Sequence, residues 1–368
     1  MNKELTILEE EAIALLKELI ATPSFSREED QTAGILCRYI GSKGVPHFRI
    51  GNNVFALSTG FDEKKPSILL NSHHDTVKPN KGYTLDPFLP LENEGKLFGL
   101  GSNDAGGCLV ALVATFLYFY GKGDMKYNLV LAATAEEEVS GTGGIEALLQ
   151  HPSFLDHTKN SFRDNGDSFA IVGEPTLMQM AVAERGLLVL DCTSHGKAGH
   201  AAREEGENAI YNALNDIEWI RNYRFPKISP LLGPVKMSVT VIETDNKAHN
   251  VVPARCQFVV DSRVNELYSF EEVIDIIQSH VSCEIKPRST RMRSTSIAAD
   301  HPVVNAGRAL GRSSYGSPTT SDKALMPFPS LKIGPGDSAR SHMADEYIFT
   351  REIKEGIRLY VQLLNQLV

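Results

Sequence analysis

The chain has 368 residues, more than one hydrophobic core usually serves, so two domains are expected. Apolar residues make up 42% and charged residues 23%, as in ordinary soluble proteins, and the formal net charge is -9 with a pI near 5.7. Nucleic-acid binders and proteins held on anionic membranes need basic surface, so the composition argues against both. The first twenty residues, MNKELTILEEEAIALLKELI, are acidic and amphipathic, unlike a secretory leader. Within them Leu5, Leu8, Ala12, Leu15, Leu16 and Leu19 form a helical stripe that stops before Thr22 and Pro23. Ser26 and Glu29 have the spacing of a capping box for a second helix reaching about Gly41.

Strands and helices then alternate. The pattern predicts strands near 53–58, 67–72, 128–134 and 168–172, with helices near 105–120 and 142–150, which is an α/β layer with a mainly parallel sheet. The apolar run from Cys108 to Tyr120 is shorter than the roughly 20 residues a membrane span needs, so it reads as a core helix. Past Glu174-Pro175 the texture changes. Strand-like segments at 187–195, 235–243 and 255–264, with helices near 207–221 and 269–280, suggest the β-α-β-β-α-β order of a ferredoxin-like α+β sandwich. After the basic stretch 286–296 the α/β texture returns, ending in a helix near 350–366. The expected organisation is a discontinuous α/β domain of residues 1–179 and 291–368, with an inserted domain at 180–290. Cys37, Cys108, Cys192, Cys256 and Cys283 are scattered and odd in number, which suits reduced thiols in a cytoplasmic protein.

Ligands of open α/β sheets collect beyond the carboxyl ends of the strands. Here those ends carry acids and imidazoles: His73, His74 and Asp75; Glu136, Glu137 and Glu138; Glu174 in GEPT; Asp104 in the turn GLGSNDAGG; and, late in the chain, His342 in SHMADEY. Each has an ordinary reading. His74 is a hydrogen-bonded or solvated histidine, three consecutive glutamates are an exposed helix start, and Asp104 is an N-cap for the apolar helix. Together they form a donor set of imidazole and carboxylate without thiolate, which favours an open catalytic site for a first-row metal. Two metals need a bridging carboxylate and two further ligands each. His73, Asp104, Glu138, Glu174 and His342 supply that number, and Glu137 stays free to move protons. Asp75 is placed to hold the His73 imidazole from behind.

The order HHD, GLGSNDAGG, TAEEE, GEPT, GKAGHAA and a late histidine resembles the dinuclear zinc deacylase and exopeptidase family, which includes acetylornithine deacetylase, succinyl-diaminopimelate desuccinylase, aminoacylase and glutamate carboxypeptidase. The resemblance implies two Zn2+ ions, with Co2+ or Mn2+ as substitutes. His73 and Glu174 would hold one, Glu138 and His342 the other, and Asp104 would bridge them. It implies Glu137 as general base, Asp75 as the group orienting His73, and an inserted lid through which the protein dimerises. His200 of GKAGHAA resembles the histidine that polarises the scissile carbonyl, commonly from the partner subunit. Asn250 and Arg263 resemble positions near the substrate carboxylate, although a strand-end ion pair is the ordinary reading of Arg263. Two departures stand out: Glu136 replaces the usual aspartate, and Ala-Gly-Gly follows Asp104 in place of Met-Lys-Gly. The expected reaction is hydrolysis of a small N-acyl amino acid by metal-activated water. The tail GPGDSARSHMADEYI resembles the acetylornithine deacetylase branch, which favours acetylornithine or acetylcitrulline in arginine biosynthesis. Desuccinylation of succinyl-diaminopimelate and dipeptide hydrolysis use the same machinery, and a pocket that only binds its ligand is the non-enzymatic alternative.

Overall fold

The computed structural model describes residues 3–123, 125–164, 166–203 and 205–367. They divide into two units. The first runs to Val182 and resumes over Ile297–Tyr315 and from Ser321 onward; the second comprises Ala183–Ser296 and Gly316–Thr320.

The first unit is built on the strand Ser67–His73, buried along its whole length. Asn128–Thr134 and Phe169–Val172 flank it, both parallel to it, and Ser330–Lys332 runs parallel beside Phe169–Val172. Continuous apolar runs such as LVLAA fit strands covered on both faces. The margins are antiparallel: Asn53–Leu57 pairs with Asn128–Thr134, His47–Ile50 folds back on Asn53–Leu57, and Met180–Glu184 joins Ser330–Lys332. The sheet is therefore mixed and mainly parallel, as the alternating pattern predicts.

The helix Gly107–Tyr120 is apolar on nearly every side and packs against Lys3–Ile20 and Thr350–Asn365. Leu16, Leu109, Leu112, Ile353 and Ile357 share one core cluster with strand residues Ile68 and Leu131. Each fully buried aliphatic side chain there stabilises the fold by about 1.5–3 kcal/mol relative to an exposed one.

Two local expectations fail for long-range reasons. The second helix spans Asp30–Ser42, but Glu29 at its N-cap makes no side-chain cap, so the expected Ser26–Glu29 capping box is absent. Both side chains are drawn elsewhere, to the turns described below. The helix expected at 142–150 begins only at Ile145. Glycines 141 and 143 lie against the Glu136 carboxylate, where an added Cβ would come within 2.0 and 2.2 Å of its oxygens, so this stretch wraps a side chain.

The second unit follows the predicted β-α-β-β-α-β order: Gly186–His195, Ala209–Asn222, Lys236–Thr244, Arg255–Val264, Phe270–Gln278 and Glu284–Pro287. Its antiparallel sheet has the order Lys236–Thr244, Arg255–Val264, Gly186–His195, Glu284–Pro287. Ala213, Ile220, Val273 and Ile277 from the helices pack on Leu188, Leu190, Phe258 and Val260 from the strands. Here a capping box does form, between Ser269 and Glu272.

Candidate metal centre

Three neighbouring strand ends and two turns of the first unit bring His73, Asp104, Glu137, Glu138, Glu174 and His342 together. His73 closes the central strand and is 1% exposed. Its Nδ1 donates to the Asp75 carbonyl at 3.0 Å, so the neutral ring carries its lone pair on Nε2. Nε2 is buried and has no hydrogen-bond partner among the described residues. Around it stand Asp104 Oδ1 at 3.5 Å, Glu137 Oε2 at 3.8 Å and Glu174 Oε1 at 3.8 Å. These separations are long for hydrogen bonds. They match donors sharing one tetrahedral ion, since bonds near 2.1 Å set ligand atoms roughly 3.4 Å apart.

Asp104 turns its two oxygens to different imidazoles: Oδ1 toward His73 at 3.5 Å and Oδ2 toward His342 Nε2 at 3.8 Å. Glu138 accepts from His342 Nε2 at 3.0 and 3.1 Å. Two donor triads result, His73 with Glu137 and Glu174, and His73 with Asp104 and Glu138, each with its ligand atoms within 4.8 Å of one another. The first contains Glu137, which the sequence reading keeps for proton transfer.

The electrostatics point the same way. Burial pushes the Glu137 carboxyl well above its usual range, and the charges of Glu174, Asp322 and Glu138 add to this against the opposing His73. Glu138 is raised by burial as well. His342 is raised to about 9, first by its bond to Glu138. Burial would lower His73, yet the carboxylates of Glu137, Asp104 and Asp75 carry it well above its ordinary value. A buried cluster with this excess of negative charge favours any bound cation. The donor set therefore fits divalent ions.

A layer of side chains behind the cluster fixes it. Asp75 accepts from the backbone N–H groups of Glu137 at 3.0 Å and Glu138 at 3.1 Å and from Ser26 Oγ at 2.7 Å, so it orders the glutamate turn as well as facing His73. Glu29 accepts from the Glu136 N–H at 3.2 Å and from Asn52 Nδ2 at 2.8 Å. His74 is structural: its ring nitrogens meet Thr32 Oγ1 at 2.9 Å and the Asn52 carbonyl at 2.9 Å. Asp322 accepts from Thr134 Oγ1 at 2.8 Å beneath the glutamate strand, and burial raises its carboxyl to about 6. Glu346 accepts three backbone N–H groups of the Asp104 turn, from Gly101, Asn103 and Asp104. Burial and the Asp104 charge push its carboxyl up to about 8, against the pull of those donors. In the turn itself Gly101 has φ +74°, and an added Cβ would sit 2.5 Å from Thr76. Sequence reasoning missed Ser26, Glu29, Asp322 and Glu346 as parts of the site. Only Glu346 had a signal, the acidic-Tyr pair after His342.

His200, Asn250 and Arg263 belong to the second unit. His200 is exposed, and its strand Gly199–His200 pairs with Val251–Val252, next to Asn250, whose carbonyl accepts the Ala201 N–H at 3.1 Å. The glycines of GKAGHAA allow close passage, since a Cβ on Gly199 would lie 1.9 Å from the Glu205 carbonyl oxygen. Arg263 engages Asp261 with Nε at 2.8 Å and Nη2 at 3.0 Å.

The family model described as peptidase family M20/M25/M40 matches residues 69–366. Among curated proteins, succinyl-diaminopimelate desuccinylase 2 of Ruegeria sp. (strain TM1040) is 27% identical over 276 residues, covering 73% of this chain and 65% of that protein. Acetylornithine deacetylase of Proteus mirabilis (strain HI4320) is also 27% identical, with 96% of each chain covered. Among solved structures, an M20 family metallo-carboxypeptidase from Sulfolobus solfataricus superposes with a TM-score of 0.72 at 17% identity, covering 100% of this chain and 99% of that one.

Proposed function

The chain belongs to peptidase family M20/M25/M40, and from that premise we propose that it hydrolyses the amide bond of a small N-acyl amino acid, with acetylornithine or acetylcitrulline as the favoured substrate. One observation carries the hydrolytic reading: the buried His73 Nε2, with no hydrogen-bond partner among the described residues, faces three carboxylates at metal-sharing distances.

In this reading His73 and Glu174 would hold one zinc, Glu138 and His342 would hold the other, and Asp104, with one oxygen toward each imidazole, would be shared between them. Ions held there would supply a water acidified toward neutral pH and a Lewis acid for the acyl oxygen. The rest is the work of the chain. Asp75 keeps His73 in the tautomer that presents Nε2. Glu137, raised by burial, takes a proton from the attacking water and returns it to the leaving amine. His200 would donate to the developing oxyanion. Asn250 and Arg263 would receive the substrate carboxylate, and because the Arg263 fork holds Asp261, binding there would exchange one carboxylate for another.

We propose further that the protein is a cytoplasmic homodimer formed through the inserted domain, with His200 acting on the partner's site. Support comes from the second unit, where Lys236–Thr244 lies at the sheet edge and Val241, Ile242, Tyr211 and Leu214 are exposed. The acyl group rests on the tail GPGDSARSHMADEYI, and the likeness to a desuccinylase keeps succinyl-diaminopimelate as the second reading.

The deciding experiment combines metal analysis of the purified protein with assays for acetate and succinate released from a panel of N-acetyl and N-succinyl amino acids. Two divalent ions per chain and acetate release with a preference for acetylornithine or acetylcitrulline support the proposal. Succinate release alone moves the assignment to the second reading. A metal-loaded protein that cleaves no member of the panel and no dipeptide overturns it.

A further inference from the structure

The turn Gly99–Gly107 has to present Asp104 at one place although it belongs to neither a regular helix nor a strand over Asp104 itself, where φ is -115° and ψ is 98°. A backbone of that kind must find partners for its N–H groups outside secondary structure. One distant residue provides most of them. The Glu346 side chain accepts from Asn103 N at 2.8 Å and Asp104 N at 2.9 Å through Oε1, and from Gly101 N at 3.2 Å through Oε2. Its backbone carbonyl accepts from Gly99 N at 3.0 Å. Glu346 is 1% exposed, so water does not compete for these bonds.

The same stretch of chain steadies the other side of the cluster. Four residues earlier stands His342, whose carbonyl accepts from Asn80 Nδ2 at 3.0 Å. Asp345 holds Thr84 and Leu85 by their backbone N–H groups, and Tyr347 pairs with Phe98 at the entry to the turn. Asn103 fastens the turn from its other end, its side-chain amide exchanging two bonds with the Asp337 backbone at 3.0 and 3.1 Å. The segment that carries His342 therefore also grips the turn that carries Asp104.

We propose that Glu346 is a positioning residue of the dinuclear centre: its carboxylate fixes the Asp104 turn so that one carboxylate can serve two ions, and couples that turn to the His342 segment. The proposal rests on the reading of Asp104 as the bridge. Both Glu346 oxygens accept backbone N–H groups, whereas a glutamine would set its NH2 against at least one of those donors. Glu346→Gln therefore keeps the size and loses the grip, and Glu346→Asp keeps both oxygens and falls short by one methylene.

The test measures backbone amide exchange in the metal-free protein, followed by Co2+ titration. In the wild type the amides of Gly101, Asn103 and Asp104 should be protected. In Glu346→Gln they should exchange roughly tenfold faster or more, with the Asn128–Thr134 strand unchanged. Co2+ affinity should fall about 10–100-fold, the range for losing a group that orients a ligand. The Co2+ absorption bands should shift, and at saturating metal kcat should drop with KM little changed. Glu346→Asp should fall between wild type and Gln on every measure. Faster exchange with unchanged Co2+ affinity and spectrum would show a merely structural role and overturn the proposal. So would unchanged exchange in a folded variant. If Glu346→Gln does not fold, Glu346→Asp decides on the same measures: faster exchange together with weaker Co2+ binding upholds the proposal, and faster exchange with unchanged Co2+ binding overturns it. A wild type that binds no Co2+ defeats the bridging reading itself, and this proposal with it.

Discussion

The two units keep their chemistry-bearing residues in opposite ways. In the first, His73, Asp75 and Glu346 are each 1% exposed, His342 is the exposed member of the donor set, and the turns that carry Asp104, Glu138 and His342 are each held by a side chain from far along the chain. In the second, His200 and Asn250 are exposed, the His200 ring accepts from the Ala202 N–H two residues on, and Arg263 pairs with Asp261 two residues away on its own strand. A buried donor set has to be ordered before anything binds, because misplaced charge in a low-dielectric site is costly. Exposed polar groups carry no such requirement. The contrast separates groups ordered in advance by buried partners from groups that stand at the surface.

The largest effects should fall on the ordered region. Stripping metal with a chelator should abolish turnover, and adding back Zn2+, Co2+ or Mn2+ should restore it; Asp104→Ala should not be restorable, and its metal content, read by elemental analysis, should drop with its activity. Full activity in the chelated protein would end the metal reading. Next comes Glu137→Gln, expected to retain both ions while kcat falls roughly 10²–10⁴-fold, the range for general-base help. Near-normal kcat with full metal would move the base elsewhere.

Smaller effects sharpen the contrast. Asp75→Asn should weaken metal binding or turnover about 10–100-fold, because it disturbs the His73 tautomer and the Glu137–Glu138 turn together; competition titration against a chelator of known affinity reads it. The smallest effect should come from the second unit. Arg263→Lys should leave metal content unchanged and alter stability by less than about 1 kcal/mol in thermal unfolding, as for other partly exposed surface pairs. Its consequence belongs in KM, because a lysine cannot reproduce a bidentate grip on a carboxylate. If Arg263→Lys lost metal, the separation between the two regions would be mistaken.

Both layers of the fold are legible in the chain, the first from apolar runs that end in acids and imidazoles, the second from alternation broken by amphipathic helices. His73, Asp104, Glu138, Glu174 and His342 are visible because each sits where hydrophobicity stops. The supporting layer is not. Ser26 and Glu29 are spaced as a local cap, yet their partners Asp75 and Glu136 lie 49 and 107 residues away. Asp322 meets Thr134 across 188 residues and Glu346 meets Asp104 across 242, and no short pattern records such pairs. Glu136 shows the same limit, since its reach into the glycines that follow delays a helix that periodicity alone starts earlier.

The spread of the donor set along the chain also puts a clock on its assembly. His73 leaves the ribosome 269 residues before His342 and 273 before Glu346. At about 5–20 residues per second, on the order of ten seconds to a minute separates the first donor from the last. Through that interval the nascent chain has a partial set of the proposed donors, with the Asp104 turn ungripped and His342 not yet made, so any ion it met would be held loosely. If the cluster holds its ions as proposed, the full donor set would exist only once the late segment docks, and the choice of metal would be made then.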